Sequence, residues 1–229
     1  MNIDAIIPAG GLGHRFSKNE KKQYFKIFGK EIIYYTLKHL NNAYHFNKFV
    51  IGVLDEDKGK VKEILDALNI QNYILARAGN LRQQTVFNCL INSDAEVVLI
   101  HDAVRPIVTR EIINNVISSM NNCDGVICGI PLRDAIKEVG EDNTVKLSID
   151  RSKYILVHTP QLYNRKLLML ALDIIEKKNR IIYDEAEALE HIGKKIIFVE
   201  SKFYNIKVTY KEDIQLVEYF MKTYLSESL

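Results

Sequence analysis

A glycine-rich segment, Pro8-Ala9-Gly10-Gly11-Leu12-Gly13-His14-Arg15-Phe16, directly follows the apolar run Ile3–Ile7. A strand that runs into glycines is typical of phosphate binding, because glycine lets the backbone approach an anion closely. The segment is not a P-loop, which ends in Gly-Lys followed by Ser or Thr, since these glycines lead into His14 and Arg15. Two other kinds of phosphate site remain.

The first is the dinucleotide fingerprint of NAD(P)-dependent oxidoreductases. That fingerprint has a third glycine where Phe16 stands, and an acid about 20 residues further on that binds the ribose. Asp55 follows the second predicted strand, but at about twice that distance. An oxidoreductase is therefore the less favoured alternative.

The second is a nucleotidyltransferase loop, in which Arg15 and a nearby lysine supply positive charge to a triphosphate. Lys22, followed by Gln23 and Tyr24, is a suitable lysine. In nucleotidyl transfer the protein mainly positions groups and stabilises the negative charge of the transition state. The alternative is that Lys22 is a solvated surface charge.

A second polar group, His101-Asp102-Ala103-Val104-Arg105-Pro106, leaves the fourth predicted strand, and ligands of a wound sheet bind at such strand ends. We expect Asp102 to hold Mg²⁺ on the triphosphate, because magnesium prefers one or two carboxylates together with phosphate oxygens. A strand-end cap or a local ion pair is the alternative. His101 is expected to be structural rather than catalytic.

Lys207 lies in the apolar run Ile206–Val208, and a buried lysine is costly unless it meets an anion. We expect it to contact a phosphate; a lysine on an edge strand that reaches water is the alternative. Asp184 and Glu185 have the chemistry of a general acid and base, but acids are also favoured at helix starts. Helix capping is the favoured interpretation for both.

These residues must be positioned by an α/β fold, because short β-rich runs alternate with amphipathic helical stretches, as in a mostly parallel sheet flanked by helices. The predicted strands are Ile3–Ile7, Phe49–Leu54, Tyr73–Ala76, Val97–Ile100, Gly125–Ile130, Ile196–Val199 and Ile206–Thr209. The predicted helices are Ile32–Leu40, Val61–Leu68, Gln83–Ile91, Glu111–Met120, Leu167–Ile175, Ala186–Ile192 and Lys211–Tyr224.

Two stretches of alternating polarity, Asp134–Val139 and Thr144–Ile149, flank Gly140-Glu141-Asp142-Asn143 and predict a β-hairpin. An inserted hairpin has little core of its own, so we expect residues 131–153 to project as an arm that packs on another subunit. An ordinary surface hairpin is the alternative. We expect residues 1–229 to form a single domain that carries this arm.

The formal net charge of +2 gives no large positive field, so neither nucleic acid nor a membrane is an expected partner. No secretory leader is evident, and nowhere do about 18 uninterrupted apolar residues occur. Cys89, Cys123 and Cys128 lack metal-type spacing and fit buried thiols better than a disulfide framework. We expect a cytoplasmic protein.

Eight segments together resemble the cytidylyltransferases that make CDP-activated polyols, and most closely the 2-C-methyl-D-erythritol 4-phosphate cytidylyltransferase family of isoprenoid biosynthesis. In family order they are AGGLGHRF, KKQYF, AGNLRQQTVFN, HDAVRP, PLRDAIK, IDRSKYILVHTPQLY, YDEAEALE and NIKVT. The likeness covers nearly the whole chain.

The resemblance implies a Rossmann-like domain whose arm completes a homodimer, with CTP as donor and Mg²⁺ as cofactor, held at Asp102. It implies that Arg15 and Lys22 stabilise the pentacovalent phosphorus formed when a polyol phosphate attacks CTP, and that Lys207 assists both anions. The CTP-binding residues it implies are Ala9, Gly10, Gly11, Gly13, Gly79, Asn80, Arg82, Thr85, Asp102 and Ala103. The implied acceptor-binding residues are Arg105, Thr159 and Arg151, the last reaching from the neighbouring subunit's arm.

Three positions depart from the family's usual pattern. Lys21 stands where proline is usual, and Ala135 and Tyr183 stand where threonines are usual. Because both threonines are expected near the acceptor's phosphate, their replacement bears on the acceptor more than on the CTP chemistry.

Two alternatives therefore stay open beside the methylerythritol acceptor. Ribitol-5-phosphate cytidylyltransferases of cell-wall and capsule synthesis share the nucleotide motifs, but they generally lack the arm's Arg-Asp and the Asp-Glu-Ala helix start that stand here at Arg133-Asp134 and Asp184-Glu185-Ala186. A non-catalytic CTP-binding paralogue is the other, although the charges that the transfer needs are present.

Overall fold

The protein is described by a computed structural model that covers residues 1–13, 15–17 and 20–225. Its main sheet is built from β1 (Ile3–Pro8), β4 (Lys48–Val53), β5 (Tyr73–Arg77), β6 (Val97–Ile100), β7 (Gly125–Pro131), β10 (Ile155–Asn164) and β11 (Ile196–Glu200). The order across this seven-stranded sheet is β11-β7-β10-β6-β1-β4-β5. Only β10 runs antiparallel to its neighbours, so the mostly parallel sheet predicted from the sequence is confirmed.

Helices cover both faces of this sheet. They are α1 (Ile32–Ala43), α2 (Lys58–Ala67), α3 (Arg82–Ile91), α4 (Arg110–Ser118), α5 (Arg165–Lys177), α6 (Glu185–Glu190) and α7 (Asp213–Tyr224). One core layer packs α1, α2, α4 and α7 on the sheet, and the other packs α3, α5 and α6. Alternating side chains of β6 feed both layers: Val97 and Leu99 lie in the first, Val98 and Ile100 in the second.

Side-chain caps explain where several helices begin. Thr109 accepts the Ile112 N–H at the start of α4, and Asn164 accepts the Leu167 N–H at the start of α5. Each cap satisfies a backbone donor that the first helical turn leaves without a partner. Thr109 and Asn164 therefore fix the residues at which α4 and α5 begin, and with them the lengths of the preceding loops.

The predicted hairpin is present as a separate two-stranded sheet of β8 (Ile136–Val139) and β9 (Val145–Ile149). Its apolar side chains Val139, Val145 and Leu147 are more than half exposed, at 55%, 63% and 57%. The arm therefore has no core of its own within this chain. Another small hairpin joins β2 (Lys26–Ile27) and β3 (Lys30–Glu31).

Two features of the sheet differ from the sequence prediction. The prediction of a strand at Ile206–Thr209 was wrong: this stretch is irregular and is tied to the core by the Val208 N–H, which donates to Val104 O. The long strand β10 was missed, because Pro160 interrupts its run of strand-forming residues. The pairing of β10 with β7 shifts register between His158 and Gln161, on either side of that proline.

Parallel pairing brings the carboxyl ends of β1, β4 and β6 to one edge. Ile6 pairs with Ile100 and Pro8 pairs with Gly52, so the glycine segment and Asp102 leave the sheet side by side. Among the described residues, no helix is both long and apolar enough to cross a membrane.

Candidate active site

A cavity of about 440 Å³ lies at this edge of the sheet. Its lining includes most of the residues that the sequence singled out, and they come from five separate parts of the chain. The expected residues that line it are Ala9, Gly10, Gly11, Lys22, Gly79, Asn80, Arg82, Thr85, Asp102, Ala103 and Lys207. Gly13 and Arg15 are not part of its lining, and His14 lies outside the described residues.

Two glycines of this segment leave little room for larger residues. A Cβ atom at Gly10 would lie 2.2 Å from the Cβ of Ala78, and a Cβ atom at Gly13, where φ is +73°, would lie 3.3 Å from Lys22 N. The amide of Gln23 donates to Ala9 O at 2.8 Å and to Gly11 O at 3.0 Å. Gln23 therefore braces the loop, a role that the sequence analysis did not assign to it.

Lys22 projects into the cavity among other cations. Its Nζ donates to Val208 O at 3.0 Å. Burial lowers the pKa of Lys22 from 10.5 to about 8, and the positive charges of Lys207 and Arg15 add to this effect. The exposed Arg15 is therefore close enough to act on Lys22 electrostatically, which is the pair of charges expected beside the glycine loop.

Asp102 is a buried carboxylate in contact with three cations. Its Oδ2 lies 2.9 Å from Lys207 Nζ and 3.3 Å from Arg105 Nε, and its Oδ1 lies 3.3 Å from Arg82 Nε. Burial alone would raise the pKa of Asp102, but the charges of Lys207, Arg82 and Arg105 hold it well below its usual value. Asp102 is therefore ionised, and the anion that Lys207 meets in this structure is a carboxylate.

The backbone at Asp102 is held by Thr159 and His101. The Thr159 hydroxyl accepts the Asp102 N–H at 3.0 Å and lies 3.1 Å from His101 Nδ1, while His101 Nε2 lies 3.0 Å from Arg105 O. Since a carbonyl only accepts, Nε2 carries the proton and Nδ1 accepts from Thr159. Burial lowers the pKa of His101 to about 4, which keeps it neutral, in agreement with a structural role.

Arg82 forms an ion pair that sequence analysis missed. Its Nη1 donates to both carboxylate oxygens of Glu185, at 2.6 and 2.8 Å, and the Glu185 side chain is fully buried. Asp184 caps α6 by accepting the Glu187 N–H at 3.1 Å, which confirms the capping interpretation for Asp184. Glu185 lies in the first turn of α6, as expected of an acid at a helix start, but its carboxylate pairs with Arg82. No local pattern could reveal a contact between residues 103 positions apart.

A second cavity, of about 700 Å³, adjoins the first and shares Arg82, Asp102 and Lys207 with it. Arg105 and Thr159, expected at the acceptor, line this second cavity. Tyr183 lies at its rim with 98% of its surface exposed. The two cavities thus stand on either side of the Asp102–Lys207 pair.

Arg151 lies apart from these groups. It begins a short 3₁₀ turn, Arg151–Lys153, after the arm, and its Nη1 donates to Arg133 O. It lines neither cavity within this chain. Its expected role in acceptor binding therefore depends on a second subunit.

Whether Mg²⁺ fits this site depends on the side-chain oxygens that could bind it. Within the ranges that the structure describes, no three His, Cys, Asp or Glu side chains cluster into a metal cage. Magnesium, however, is commonly bound by one or two carboxylates and by phosphate oxygens of a substrate. Asp102 supplies one carboxylate at the boundary of the two cavities, which fits a Mg²⁺ ion carried on a triphosphate.

Comparison with known proteins agrees with this geometry. The chain is 33% identical over 220 residues to the 2-C-methyl-D-erythritol 4-phosphate cytidylyltransferase of Clostridium botulinum (strain ATCC 19397 / Type A), which covers 95% of this chain and 96% of that protein. The Francisella tularensis 2-C-methyl-D-erythritol 4-phosphate cytidylyltransferase structure matches with a TM-score of 0.79 and 28% identity, over 96% of this chain and 99% of that one.

A further structure supports the fold alone, at 24% identity: the 4-diphosphocytidyl-2C-methyl-D-erythritol synthase of Anaerococcus prevotii has a TM-score of 0.85 and covers 96% of this chain and 98% of its own. The sequence model of the 2-C-methyl-D-erythritol 4-phosphate cytidylyltransferase family matches residues 3–223. With its wound sheet and its glycine loop facing Asp102 and Lys207, this chain belongs to the 2-C-methyl-D-erythritol 4-phosphate cytidylyltransferase family.

Proposed function

We infer that this protein is a nucleotidyltransferase that transfers CMP from CTP to 2-C-methyl-D-erythritol 4-phosphate in isoprenoid biosynthesis. An oxygen of the acceptor's phosphate attacks the α-phosphorus of CTP, the bond from that phosphorus to the bridging oxygen breaks, and pyrophosphate leaves. The observation that carries this inference is the placement of Lys22, Asp102 and Lys207 in one cavity beside the glycine segment. Family membership favours methylerythritol phosphate over ribitol phosphate as the acceptor.

The cations of the site have distinct proposed roles. Lys22, with Arg15 beside it, stabilises the negative charge that grows on the α-phosphoryl group in the transition state. Lys207, which lines both cavities, contacts CTP on one side and the acceptor on the other. Bound Mg²⁺ would neutralise triphosphate charge beside Asp102.

The backbone and small residues of the first cavity bind CTP in this proposal. The glycine segment lies against the triphosphate, and the Gly79-Asn80 turn with Arg82 and Thr85 holds the cytidine. In the structure, Thr85 accepts the Gly79 N–H at 3.0 Å, which orders that turn before CTP arrives. The acceptor occupies the second cavity, at Arg105 and Thr159.

We further propose that residues 1–229 form one domain that dimerises through the arm at residues 131–153. The exposed apolar side chains of the arm support this, since a second copy would bury them. In the dimer, Arg151 of one protomer would complete the acceptor site of its partner. A cytoplasmic location is proposed from the reduced, buried cysteines Cys89 and Cys128.

The oxidoreductase alternative loses its main support in the structure. Asp55, the residue that would bind a ribose, pairs with Lys58 at 2.7 Å and does not line the first cavity. Pyrophosphate release assayed with CTP, Mg²⁺ and each candidate acceptor tests the proposal. Turnover with methylerythritol phosphate is expected; CTP binding with no turnover on either polyol phosphate would contradict it and indicate a non-catalytic paralogue.

A further inference from the structure

The residue before Lys22 is tied to a distant part of the chain. Lys21 Nζ lies 2.7 Å from Glu56 Oε1 and 2.7 Å from Asp57 Oδ2. Both acids belong to a short 3₁₀ turn, Asp55–Asp57, which leads directly into α2. One ammonium group therefore bridges the start of the Lys22–Tyr24 turn to the start of a core helix.

The Lys22 ammonium is held where burial opposes its charge. Its Nζ makes one direct bond, to Val208 O at 3.0 Å; Lys207 and Arg15 repel it, and the carboxylates of Asp102 and Asp213 attract it without a direct contact. Loss of hydration therefore favours movement of this side chain out of the cavity and into water. An attachment on the outer side of the turn opposes that displacement.

The neighbouring residues are attached elsewhere. Gln23 is bonded to the glycine segment, and the ring of Tyr24 lies under Lys60 Nζ at 4.7 Å from the ring centroid. The Lys21 contacts are two charge-assisted hydrogen bonds. The carboxylate of Asp57 is only 11% exposed, so the Asp57 contact is stronger than a surface pair.

We propose that Lys21 is a positioning residue for the transfer reaction: its ion pairs with Glu56 and Asp57 hold the turn so that Lys22 stays directed into the nucleotide cavity. This inference rests on the proposed catalytic role of Lys22. Because Glu56 is 70% exposed, the attachment is open to screening by salt. Turnover at saturating substrates should therefore decline with ionic strength in the wild type.

The first test compares Lys21→Met with a matched control, Lys58→Met. Lys58 forms an equally short pair, 2.7 Å to Asp55 Oδ1 in the same 3₁₀ turn, but it does not hold the Lys22 segment. We expect Lys21→Met to lower kcat about tenfold with KM for CTP within about twofold, because a small displacement of a charged group weakens transition-state contacts first. Lys58→Met should keep the wild-type kcat. The double variant Glu56→Gln/Asp57→Asn, which removes both anionic partners of Lys21, should behave like Lys21→Met.

Rescue variants separate positioning from direct chemistry. Lys21→Arg keeps the ion pairs, and Lys21→Pro stiffens the backbone at a residue whose φ of −74° lies in the range of proline. We expect Lys21→Arg to have the wild-type kcat and the wild-type dependence of kcat on salt. Lys21→Pro should have the wild-type kcat without that salt dependence. Loss of kcat in the Met, Arg and Pro variants alike would mean that the Lys21 ammonium itself serves the reaction, and would overturn the positioning role.

A second measurement does not depend on turnover. The rate of Lys22 acetylation at a series of pH values, followed by peptide mass spectrometry, gives the pKa of Lys22. In the wild type this pKa should be about 8, and in Lys21→Met it should move toward 10.5 as the side chain leaves the cavity. An unchanged pKa and an unchanged kcat in Lys21→Met would overturn the inference, whereas an inactive wild type with a shifted pKa would count against the proposed function alone.

Discussion

Arg82 Nη1 lies 2.6 and 2.8 Å from the two carboxylate oxygens of Glu185, and the same guanidinium contacts Asp102 through Nε at 3.3 Å. Arg82 opens α3 beside the first cavity, and Glu185 opens α6, which borders the second. One arginine thus connects the helix starts on the two sides of the site. The carboxylates of Glu185 and Asp102 thus neutralise the charge of Arg82 before any substrate binds.

Glu185→Gln should weaken both folding and CTP binding. The change leaves the Arg82 guanidinium without its buried anionic partner, at a cost of about 2 kcal/mol, less than for a fully buried pair because Arg82 is partly exposed. Urea unfolding would measure this loss, and KM for CTP should rise several-fold. Glu176→Gln is the control, since Glu176 accepts from Gln84 of the same helix α3 on the exposed surface. Equal effects of the two variants would contradict the prediction.

Lys22→Ala should reduce kcat by about 10²- to 10³-fold while KM for CTP changes only a few-fold, because the charge that Lys22 meets is largest in the transition state. Steady-state kinetics of pyrophosphate release measure both quantities. Lys62→Ala, which removes an exposed lysine paired with Asp66 on α2, is the control and should be silent. Equal losses in kcat and in CTP affinity would mean that Lys22 only binds.

The pH dependence should report the lowered pKa of Lys22. In the free protein the pKa of Lys22 is about 8, so its side chain carries a positive charge below pH 8 and loses that charge as the pH rises through this value. The parameter kcat/KM for CTP, which reports the free enzyme, should therefore fall above pH 8. The side chain of Lys22→Arg stays charged, so kcat/KM of this variant should not fall above pH 8, even if its maximum value is lower than in the wild type. A fall above pH 8 that persists in Lys22→Arg would mean that another group titrates.

Tyr183→Thr should change the acceptor parameters and leave CTP binding unaltered. The Tyr183 side chain stands almost fully exposed at the rim of the second cavity, and it does not line the first. We expect kcat/KM for methylerythritol phosphate to rise by about two- to tenfold, because threonine offers a hydroxyl to a phosphate without the bulk of a ring. Competition between methylerythritol phosphate and ribitol phosphate measures the effect. Tyr154→Thr, at another exposed tyrosine that lines neither cavity, is the control.

Mixing two inactive variants should recover activity. If Arg151 acts across the dimer, an Arg151→Ala protomer and a Lys22→Ala protomer together form one site that has both residues. About a quarter of the wild-type activity is expected when protomers mix at random, since half of the dimers are mixed and each has one intact site. Confirmed mixed dimers without recovery would argue against the shared site.

The sequence was sufficient to predict the parts of the site that depend on local pattern. The glycine segment after β1 and Asp102 after β6 each follow an apolar strand, and parallel pairing then brings both to one edge. Lys207 was expected to contact a phosphate because its neighbours Ile206 and Val208 are apolar; its Nζ pairs with the Asp102 carboxylate in the structure, and the phosphate contact stays a prediction. The strand predicted around it was wrong, since the apolar character of this run reflects packing of a loop on the core.

What could not be predicted depends on contacts between distant segments. Glu185 looks like an ordinary acid of a helix start, and only the fold brings it to Arg82. Gln23 lies between charged and aromatic residues in the sequence, and nothing in that pattern indicates that its amide donates to Ala9 O and Gly11 O. Lys21 directly follows Glu20 in the sequence, and no local pattern indicates its pairs with Glu56 and Asp57, which lie 35 and 36 positions away.

The strand β10 has a consequence for how the protein could be inhibited. It begins at the exit of the arm, lies between β7 and β6, and contains Thr159, whose hydroxyl holds the Asp102 N–H. A compound that wedges the arm aside would pull on this strand and, through it, on the aspartate between the two cavities. If the arm joins two subunits as proposed, molecules that part the subunits should act on the same carboxylate as molecules that compete with the nucleotide, while occupying a different surface.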